Sequence, residues 1–328
     1  MEIGKISNRE LINRVFKNIK YTRDEVLVKS SVGMDTSVLD LGEDLVVVSC
    51  DPITGASKDI GKLAVHISCN DVACECADPV GILMSILLPP TASLEELEQI
   101  VSDANEECKA LNLDIVGGHT EVTDAVTKIV VTTTVIGRSK RTQLPQRHKI
   151  LVGDVIVLSK EISVEGTSII VNEKEEELKK ILTDEEIQQA KELSQDLSVL
   201  PESKIARKYN VKQLHDITEG GVYGALWETA QAIGKGIRID ALKIPVLDLT
   251  RKICNYFKIN PYRLISSGSM IMVFSSEDYS AFKKECKEKN IPVTVVGEVI
   301  EGHDVILSQN GVETLLEEPG TDELYKVV

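Results

Sequence analysis

Acidic and glycine-containing segments recur along this chain where an apolar run would meet a loop. They are Gly33-Met34-Asp35, Cys50-Asp51-Pro52, Asn70-Asp71, Gly117-Gly118-His119-Thr120-Glu121 and His215-Asp216-Ile217-Thr218-Glu219-Gly220-Gly221. Hard cations such as magnesium bind carboxylate and phosphate oxygens, and glycine pairs let backbone N–H groups approach an anion. Carboxylates that converge on one cavity repel each other unless a cation lies among them. The set therefore predicts a nucleotide bound through a metal ion.

The aspartates also have structural explanations. Asp35 and Asp51 could be ordinary turn residues, because Asp is common in loops that contain Gly or Pro. Asp71 follows Ile67 by four residues, so on a continuing helix it would lie on the apolar stripe and need a partner. On a helix that ends at Asn70, it would cap a new turn instead. Spacing leaves both explanations open.

Two further phosphate candidates have similar alternatives. Lys62 could reach a phosphate or could be an exposed surface lysine. The segment that begins at Asp216 could direct backbone N–H groups and a helix dipole toward an anion. Alternatively, Thr218 caps the helix while Gly220 and Gly221 permit close packing. The chain lacks a Gly-x-x-x-x-Gly-Lys-Ser/Thr motif, which argues against an ordinary P-loop enzyme.

Composition narrows the class of protein. A chain of 328 residues exceeds the usual size of one core and predicts two domains. Its net charge of −15 argues against nucleic acid or an anionic membrane as the main partner. The chain has no apolar run of the roughly 20 residues that a membrane span requires, and no signal-peptide region follows Met1. Its seven scattered cysteines suit reduced thiols, so we expect a cytoplasmic protein.

Cys69, Cys74 and Cys76 do not have the spacing of a usual zinc or iron–sulfur site. We therefore interpret them as small apolar side chains on a packed helix. His66 has no partner that spacing identifies.

Hydrophobic periodicity predicts strands that alternate with amphipathic helices, which indicates an α/β or α+β layer structure. The predicted strands are Leu45–Cys50, Ile82–Leu88, Asp114–Val116, Val126–Ile136, Val155–Leu158, Met270–Phe274, Val293–Val299 and Val305–Leu307. The predicted helices are Lys58–Ala77, a capping-box helix from Ser93 to Leu111, Lys174–Lys180, Asp184–Gln195, Glu219–Ala232 and Tyr279–Glu288. The basic stretch 138–149 is either an interdomain linker or an anion-recruiting patch.

The motifs, in this order, resemble the aminoimidazole ribonucleotide (AIR) synthetase superfamily. That group includes thiamine-monophosphate kinase, selenophosphate synthetase, formylglycinamidine ribonucleotide synthetase and the hydrogenase maturation factor HypE. Ile60–His66 and His215–Gly221 are most similar to HypE and its AIR-synthetase-related relatives. Each motif is weakly specific alone, but five in order make a specific pattern that extends from about residue 25 to 325.

The resemblance implies an N-terminal domain over 1–140 that binds ATP and metal and dimerises through its sheet. It also implies a C-terminal α/β domain over 150–328, with ATP and Mg²⁺ in the cleft between the two. The implied metal or phosphate ligands are Asp35, Asp51, Asp71 and Asp216. The implied nucleotide contacts are Lys62, Asn70, Gly117, Gly118, His119, Thr120, Thr218, Gly220 and Gly221.

The chemistry that the resemblance implies is transfer of the ATP γ-phosphoryl group to an oxygen of a small molecule or of a partner-bound group. Hydrogenase or metalloenzyme maturation, with a maturation partner protein, is the implied context. The alternatives are a small-molecule kinase similar to thiamine-monophosphate kinase, and an accessory protein that binds nucleotide without turnover. The homodimer is likewise implied by the resemblance, and a long apolar strand such as Val126–Ile136 would need a covering partner if its edge were unpaired.

The chain departs from its relatives in ways that bear on activity. HypE proteins end in a reactive cysteine, whereas the last cysteine here is Cys286. Selenophosphate synthetases carry a reactive Cys or selenocysteine near the start, whereas the first cysteine here is Cys50. His119 and Met34 stand where family members often have acids. These departures argue against carbamoyl dehydration as HypE performs it, and the two lost carboxylates would weaken metal binding.

Overall fold

A computed structural model describes residues 8–10, 12–13, 24, 26–28, 31–34, 36–54 and 59–328. The strands are β1 Val26–Val28, β2 Ser37–Asp40, β3 Leu45–Ile53, β4 Asp78–Leu88, β5 Asp114–Val122, β6 Val130–Ser139, β7 Val155–Ser159, β8 Gln213–Asp216, β9 Gly236–Asp240, β10 Met270–Phe274, β11 Val293–Ile300, β12 Val305–Gln309 and β13 Val312–Leu315. The helices are α1 Asn8–Glu10, α2 Ile60–Ala73, α3 Leu94–Leu111, α4 Val164–Glu173, α5 Glu175–Leu178, α6 Asp184–Glu192, α7 Leu200–Ala206, α8 Gly221–Ile233, α9 Asp248–Phe257 and α10 Ser276–Glu288.

The described residues form two compact units. One unit takes the described residues of 21–30 and 35–144, and the other takes those of 1–20, 31–34 and 145–328. Each unit contains one mixed sheet with helices packed on it, so the predicted α/β class is confirmed. The division between residues 144 and 145 lies inside the basic stretch, although β6 already includes Arg138 and Ser139.

The sheet of the first unit has the strand order β1-β2-β3-β6-β4-β5. Its neighbouring strands pair antiparallel except β4 and β5, which run parallel. Helix α2 packs on β3 and β6, and α3 packs on α2. Alternate residues of β3 and β6, such as Val47 and Val135, are buried. This alternation lets one face of the sheet meet the helix.

Helices α2 and α3 approach each other unusually closely. A Cβ atom at Gly61 would overlap the carbonyl oxygen of Ile100, so the two helix backbones meet there. Helix α3 begins at the predicted capping box: Ser93 Oγ accepts from the Glu96 N–H, and the Glu96 carboxylate accepts from the Ser93 N–H. This reciprocal pair satisfies two of the backbone donors that a helix start leaves unpaired.

The sheet of the second unit has the order β13-β12-β9-β11-β7-β10-β8, antiparallel except for the parallel pair β12 and β9. Helix α8 contributes Val222 and Leu226 to the core on one face of this sheet. A second cluster, which includes Ile170 and Ile253, lies among α4, α6 and α9. Strand β10 has the predicted bounds, because Met270–Phe274 is apolar throughout and completely buried.

The strand predicted at Val126–Ile136 does not lie at an edge of the sheet. The observed strand β6 begins at Val130 and lies inside the sheet, paired on both sides with β3 and β4. The edge next to β4 is instead β5, whose Val116 and Val122 are exposed. A β-branched run predicts a strand but does not identify its neighbours, which depend on contacts distant in sequence.

Among the described residues, no helix has the length and apolar character that a membrane span requires.

Candidate functional site

Asp71 lies inside helix α2, in its last turn, with 4% of its surface exposed. The helix continues past Asn70, so the explanation of Asp71 as the cap of a new turn is wrong. The Ser49 hydroxyl of β3 donates a hydrogen bond to the Asp71 carboxylate. A carboxylate near the C-terminal end of a helix is opposed by the helix dipole, and burial adds a desolvation cost. An acid at this position therefore needs partners from outside the helix, and the Ser49 hydroxyl is one of them.

Asp51 lies on the same face of β3 as Ser49, because the two residues are separated by one position in a strand. In register across the sheet, Asp51 faces Thr133 of β6, whose hydroxyl contacts the Ser68 hydroxyl of α2 at 2.6 Å and donates to Ala64 O. A polar layer thus separates this end of the sheet from α2. Asp51 and Asp71 belong to the same layer.

The expected loop at Asp51-Pro52 is wrong, because β3 continues to Ile53. Strand β2 pairs with β3 only as far as Val48, so in the described chain β6 alone flanks Pro52. A proline, which lacks an N–H donor, is tolerated in a strand where one side is open.

The donor set of this layer suits a hard cation. Carboxylate and hydroxyl oxygens are the ligands that Mg²⁺ accepts, and Mg²⁺ commonly takes only one or two carboxylates beside phosphate and water oxygens. Within the described residues, no three His, Cys, Asp or Glu side chains form a group that could hold a metal by themselves. Asp35, the other predicted ligand before β3, lies outside the described residues. A metal here would thus need oxygens from a ligand or from water.

Lys62 and His66 of α2 both contact Glu107 of α3. Lys62 Nζ lies 3.1 Å from Glu107 Oε1, and His66 Nε2 lies 3.0 Å from Glu107 Oε2. The hydrogen bond from His66, with a smaller contribution from Lys62, outweighs partial burial and lowers the pKa of Glu107 to about 2. The carboxylate is therefore ionised at neutral pH. His66, for which spacing identified no partner, has one across the helix interface.

Gly117, Gly118, His119 and Thr120 lie within β5, and the expectation of a loop at these residues is wrong. A Cβ atom at Gly118 would overlap the backbone of Met84, so the close approach of β4 requires glycine there. The His119 and Thr120 side chains are exposed. Their contact with a nucleotide stays a prediction.

Asp216 ends strand β8 and is 2% exposed, as expected for an acid at the end of a buried strand. The next helix, α8, begins at Gly221 with Gly220 as its N-cap, and no side chain caps it. The alternative in which Thr218 is the cap is therefore wrong. Gly220 and Gly221 both have positive φ, and a Cβ at Gly221 would lie 2.7 Å from Tyr262 O. The backbone conformation favours glycine at both positions, and close packing also excludes a side chain at Gly221.

The N-terminus of α8 already contacts an anionic side chain of this chain. Asp322 Oδ2 accepts from the Gly220 N–H at 2.6 Å, and Asp322 Oδ1 accepts from the Leu324 and Ile265 N–H groups. Burial raises the pKa of Asp322 to about 6, although these three donors act in the opposite direction. Any anion that used the Gly220 N–H would have to replace this carboxylate.

Gly33, from the first predicted motif, packs against helix α8. A Cβ atom there would lie 2.6 Å from Glu228 O, and the residue has a φ of 72°, so glycine is required by both space and backbone conformation. Its neighbour Met34 donates its N–H to Ser31 O in the same turn.

The three clustered cysteines are buried thiols outside any disulfide, but only Cys69 lies within α2, which ends at Ala73. Burial is the main cause that raises the pKa of Cys69, followed by the nearby Cys108 and Asp71. A thiol whose pKa is raised in this way is a poor nucleophile.

Sequence reasoning missed three residues that contact the predicted site residues: Ser49, Glu107 and Asp322. Ser49 could have been found, because strand alternation puts it on the same face as Asp51. Glu107 and Asp322 come from segments whose contacts depend on the tertiary fold.

Two family models match the sequence. Residues 33–139 match the description "AIR synthase related protein, N-terminal domain", and residues 152–309 match "AIR synthase related protein, C-terminal domain". Together they cover well over half of the chain.

Curated relatives are similar over most of their length. A Methanocaldococcus jannaschii protein whose name assigns it provisionally to hydrogenase expression and formation is 27% identical, with 84% of this chain and 81% of that protein covered. Carbamoyl dehydratase HypE of Escherichia coli is 27% identical with the same shares covered. Thiamine-monophosphate kinase of Bacillus subtilis is 26% identical, with 80% of each chain covered.

Solved structures share the fold. A HypE–HypF complex matches with a TM-score of 0.75 at 21% identity, covering 94% of this chain and 99% of that one. ThiL complexed with AMPPCP and TMP matches with a TM-score of 0.74 at 20% identity, covering 96% of each chain. HypE in complex with ATP matches with a TM-score of 0.69 at 20% identity, covering 99% and 98%. The chain belongs to the AIR synthase-related protein family and has its two-domain α/β fold.

Proposed function

We propose that this protein binds ATP with Mg²⁺ and transfers the γ-phosphoryl group to an oxygen of a small molecule or of a group carried by a partner protein. The observation that carries the proposal is the buried Asp71 carboxylate in the last turn of α2, on the same polar layer as Asp51. Two acids on one layer supply carboxylate oxygens of the kind that Mg²⁺ takes, and a cation between them would relieve their mutual repulsion. Asp35 and Asp216 are proposed as the remaining metal or phosphate ligands.

The names of the relatives support the maturation of hydrogenases or other metalloenzymes as the context. Two relatives carry names from hydrogenase maturation, and one solved neighbour is a HypE–HypF complex. We therefore propose a maturation partner protein for this chain also. The seven cysteines form no disulfide in the described residues, which suits the reducing cytoplasm that we propose as the location.

A small-molecule kinase is the second candidate. It is favoured by the similarity to thiamine-monophosphate kinase and by a neighbour whose title names AMPPCP and TMP. Product analysis distinguishes the two functions, because a kinase leaves a stable phosphorylated small molecule. ATP binding without turnover across substrates and partners would instead favour the accessory role.

The metal requirement tests the proposal directly. Because the Asp carboxylates repel an ATP phosphate unless a cation lies between them, ATP should bind only weakly in EDTA and tightly with Mg²⁺. Calorimetric titrations in the two buffers measure the difference. ATP at about 100 times its Kd should also raise stability by roughly 2.7 kcal/mol. Equal affinity with and without Mg²⁺ would contradict the shared metal site.

We also propose a homodimer formed through the first unit, with β5 and not β6 as the open edge. Edge strand β5 carries Val116 and Val122, which are 57% and 65% exposed, and an open strand edge with exposed apolar side chains needs a cover. Light scattering should give twice the 36.0 kDa of one chain. Val122→Lys should shift the mass toward the monomer, whereas Val312→Lys, on the edge strand β13 of the other unit, should not. A monomeric wild-type mass at micromolar concentration would exclude the dimer.

A further inference from the structure

A single carboxylate, that of Glu107, bridges two basic side chains at the crossing of α2 and α3. Its Oε1 contacts Lys62 Nζ at 3.1 Å and its Oε2 contacts His66 Nε2 at 3.0 Å. Lys62 and His66 are four residues apart on α2, so they project from the same face of that helix. The direct backbone contact at Gly61 brings α3 close enough for Glu107 to reach both.

The proton positions in this cluster follow from its chemistry. The Glu107 carboxylate is ionised and can only accept, so His66 Nε2 must carry the proton that it donates. His66 Nδ1 is buried and has no hydrogen-bond partner among the residues that the structure describes. The ring is therefore oriented by one hydrogen bond, that of Nε2–H to Glu107.

This cluster costs more free energy than an apolar contact between the two helices would. A buried imidazole with an unmatched nitrogen costs free energy that an apolar side chain would not. A partly exposed Lys–Glu pair contributes little to stability, typically about 0–1 kcal/mol. Packing therefore does not explain why these three residue types occur together. A requirement for a fixed Lys62 ammonium explains all three.

The hydrogen-bond donors that Lys62 has in addition to its contact with Glu107 point to an anion as its ligand. Its side chain is 23% exposed, and Glu107 is its acceptor in the described part of the chain, which leaves further ammonium donors available. A lysine has a long flexible side chain, so anchoring it before a ligand arrives lowers the ordering cost of binding. Farther along α2, Asn70 and Asp71 are the other predicted nucleotide and metal residues.

We propose that Glu107 is a positioning residue, held from one side by His66, that fixes the Lys62 ammonium for a phosphate group of the nucleotide. This inference rests on the proposed function, because it requires that ATP binds and that Lys62 contacts it. Glu107 itself contacts no ligand. It acts through Lys62.

Titrations of Mg·ATP into five variants test the inference. Lys62→Met removes the ammonium, and we expect a loss of affinity of at least about tenfold. Glu107→Gln keeps the size but weakens the anchor, and we expect a loss of about five- to tenfold. The double variant should bind no worse than Lys62→Met alone, since two residues that act through one contact are not additive.

Two further variants separate position from charge. Glu107→Asp keeps the charge but is one methylene shorter, so it should lose affinity as Glu107→Gln does. Glu106→Gln makes the same charge change at the exposed neighbouring position, and it should leave the affinity unchanged. Melting temperatures of all variants without ligand should stay near the wild-type value.

The outcomes separate the inference from the proposed function. If wild-type protein does not bind Mg·ATP, the proposed function fails. If Lys62→Met binds normally while the wild type binds ATP, the assignment of Lys62 fails and the inference with it. If Lys62→Met weakens binding but Glu107→Gln binds equally or more tightly, Glu107 sequesters Lys62 or is irrelevant to it, and the inference is overturned. A collapsed melting temperature for both Glu107 variants would make the cluster structural.

Discussion

Replacing Lys212 with methionine is expected to lower the free energy of unfolding of the second unit by about 3–5 kcal/mol. Lys212 Nζ lies 2.7 Å from both carboxylate oxygens of Asp154, and the two side chains are only 9% and 7% exposed. Methionine fills similar space but leaves the Asp154 charge buried. In the described chain, the Leu151 backbone N–H is then the remaining hydrogen-bond donor to the Asp154 carboxylate. An uncompensated buried charge is among the most destabilising changes that one substitution can make.

Thermal unfolding measures this effect. For a unit of this size, the expected loss corresponds to a fall in melting temperature of roughly 6–20 °C. The matched control is Arg138→Met, because Arg138 forms a longer ion pair with Asp44, 3.9 Å apart and exposed at both ends. It should change stability by less than about 1 kcal/mol. If the two variants melt alike, the Lys212–Asp154 pair is not a major source of stability.

Sequence reasoning succeeded where the structural signal is local. The start of α3 could be predicted because Ser93 and Glu96 satisfy each other's backbone donors within one turn. The bounds of β10 could be predicted because a fully buried strand is a continuous apolar run. The inward direction of Asp71 was one of two open alternatives, because helical spacing indicates a face but not the residue at which the helix ends.

Sequence reasoning failed where glycine and proline have tertiary explanations. Gly117-Gly118 and Asp51-Pro52 carry turn signals, yet both pairs lie inside strands. The glycine at 118 is required by the backbone of Met84, 34 positions earlier in the chain, and Pro52 is tolerated because β2 has already ended. Neither neighbour can be read from a local window.

At the candidate site, too, local sequence signals could be predicted more readily than contacts between distant segments. The residue types that could hold a cation and a phosphate were visible as motifs, and Asp51 and Asp71 do occupy one polar layer. Of their contact partners, Ser49 could have been found from strand alternation, whereas Glu107, which contacts Lys62, became visible only through a contact between segments distant in sequence. Spacing therefore identified the candidate ligands more readily than the residues that orient them.

Replacing Asp71 with asparagine is expected to weaken Mg·ATP binding at least tenfold, a loss of about 1.4 kcal/mol. Asparagine keeps the size of the side chain and an oxygen that can accept from the Ser49 hydroxyl. It removes one negative charge from the polar layer, and the charge is what a cation requires. Apo stability should hold or rise, because the substitution removes one of the carboxylates that repel each other while the site holds no cation.

The paired measurement is a melting temperature without ligand and a calorimetric titration of ATP with Mg²⁺. The matched control is Glu75→Gln, which neutralises another buried acid of the same unit. Glu75 Oε1 accepts from the Thr36 hydroxyl, and no motif assigns this residue to the site. It should leave ATP affinity unchanged. Unchanged affinity in Asp71→Asn would remove Asp71 from the metal site, and a large fall in its apo melting temperature would make the residue structural. Because asparagine keeps the shape of the side chain and an acceptor for the Ser49 hydroxyl, we expect the loss to appear in ATP binding and not in stability.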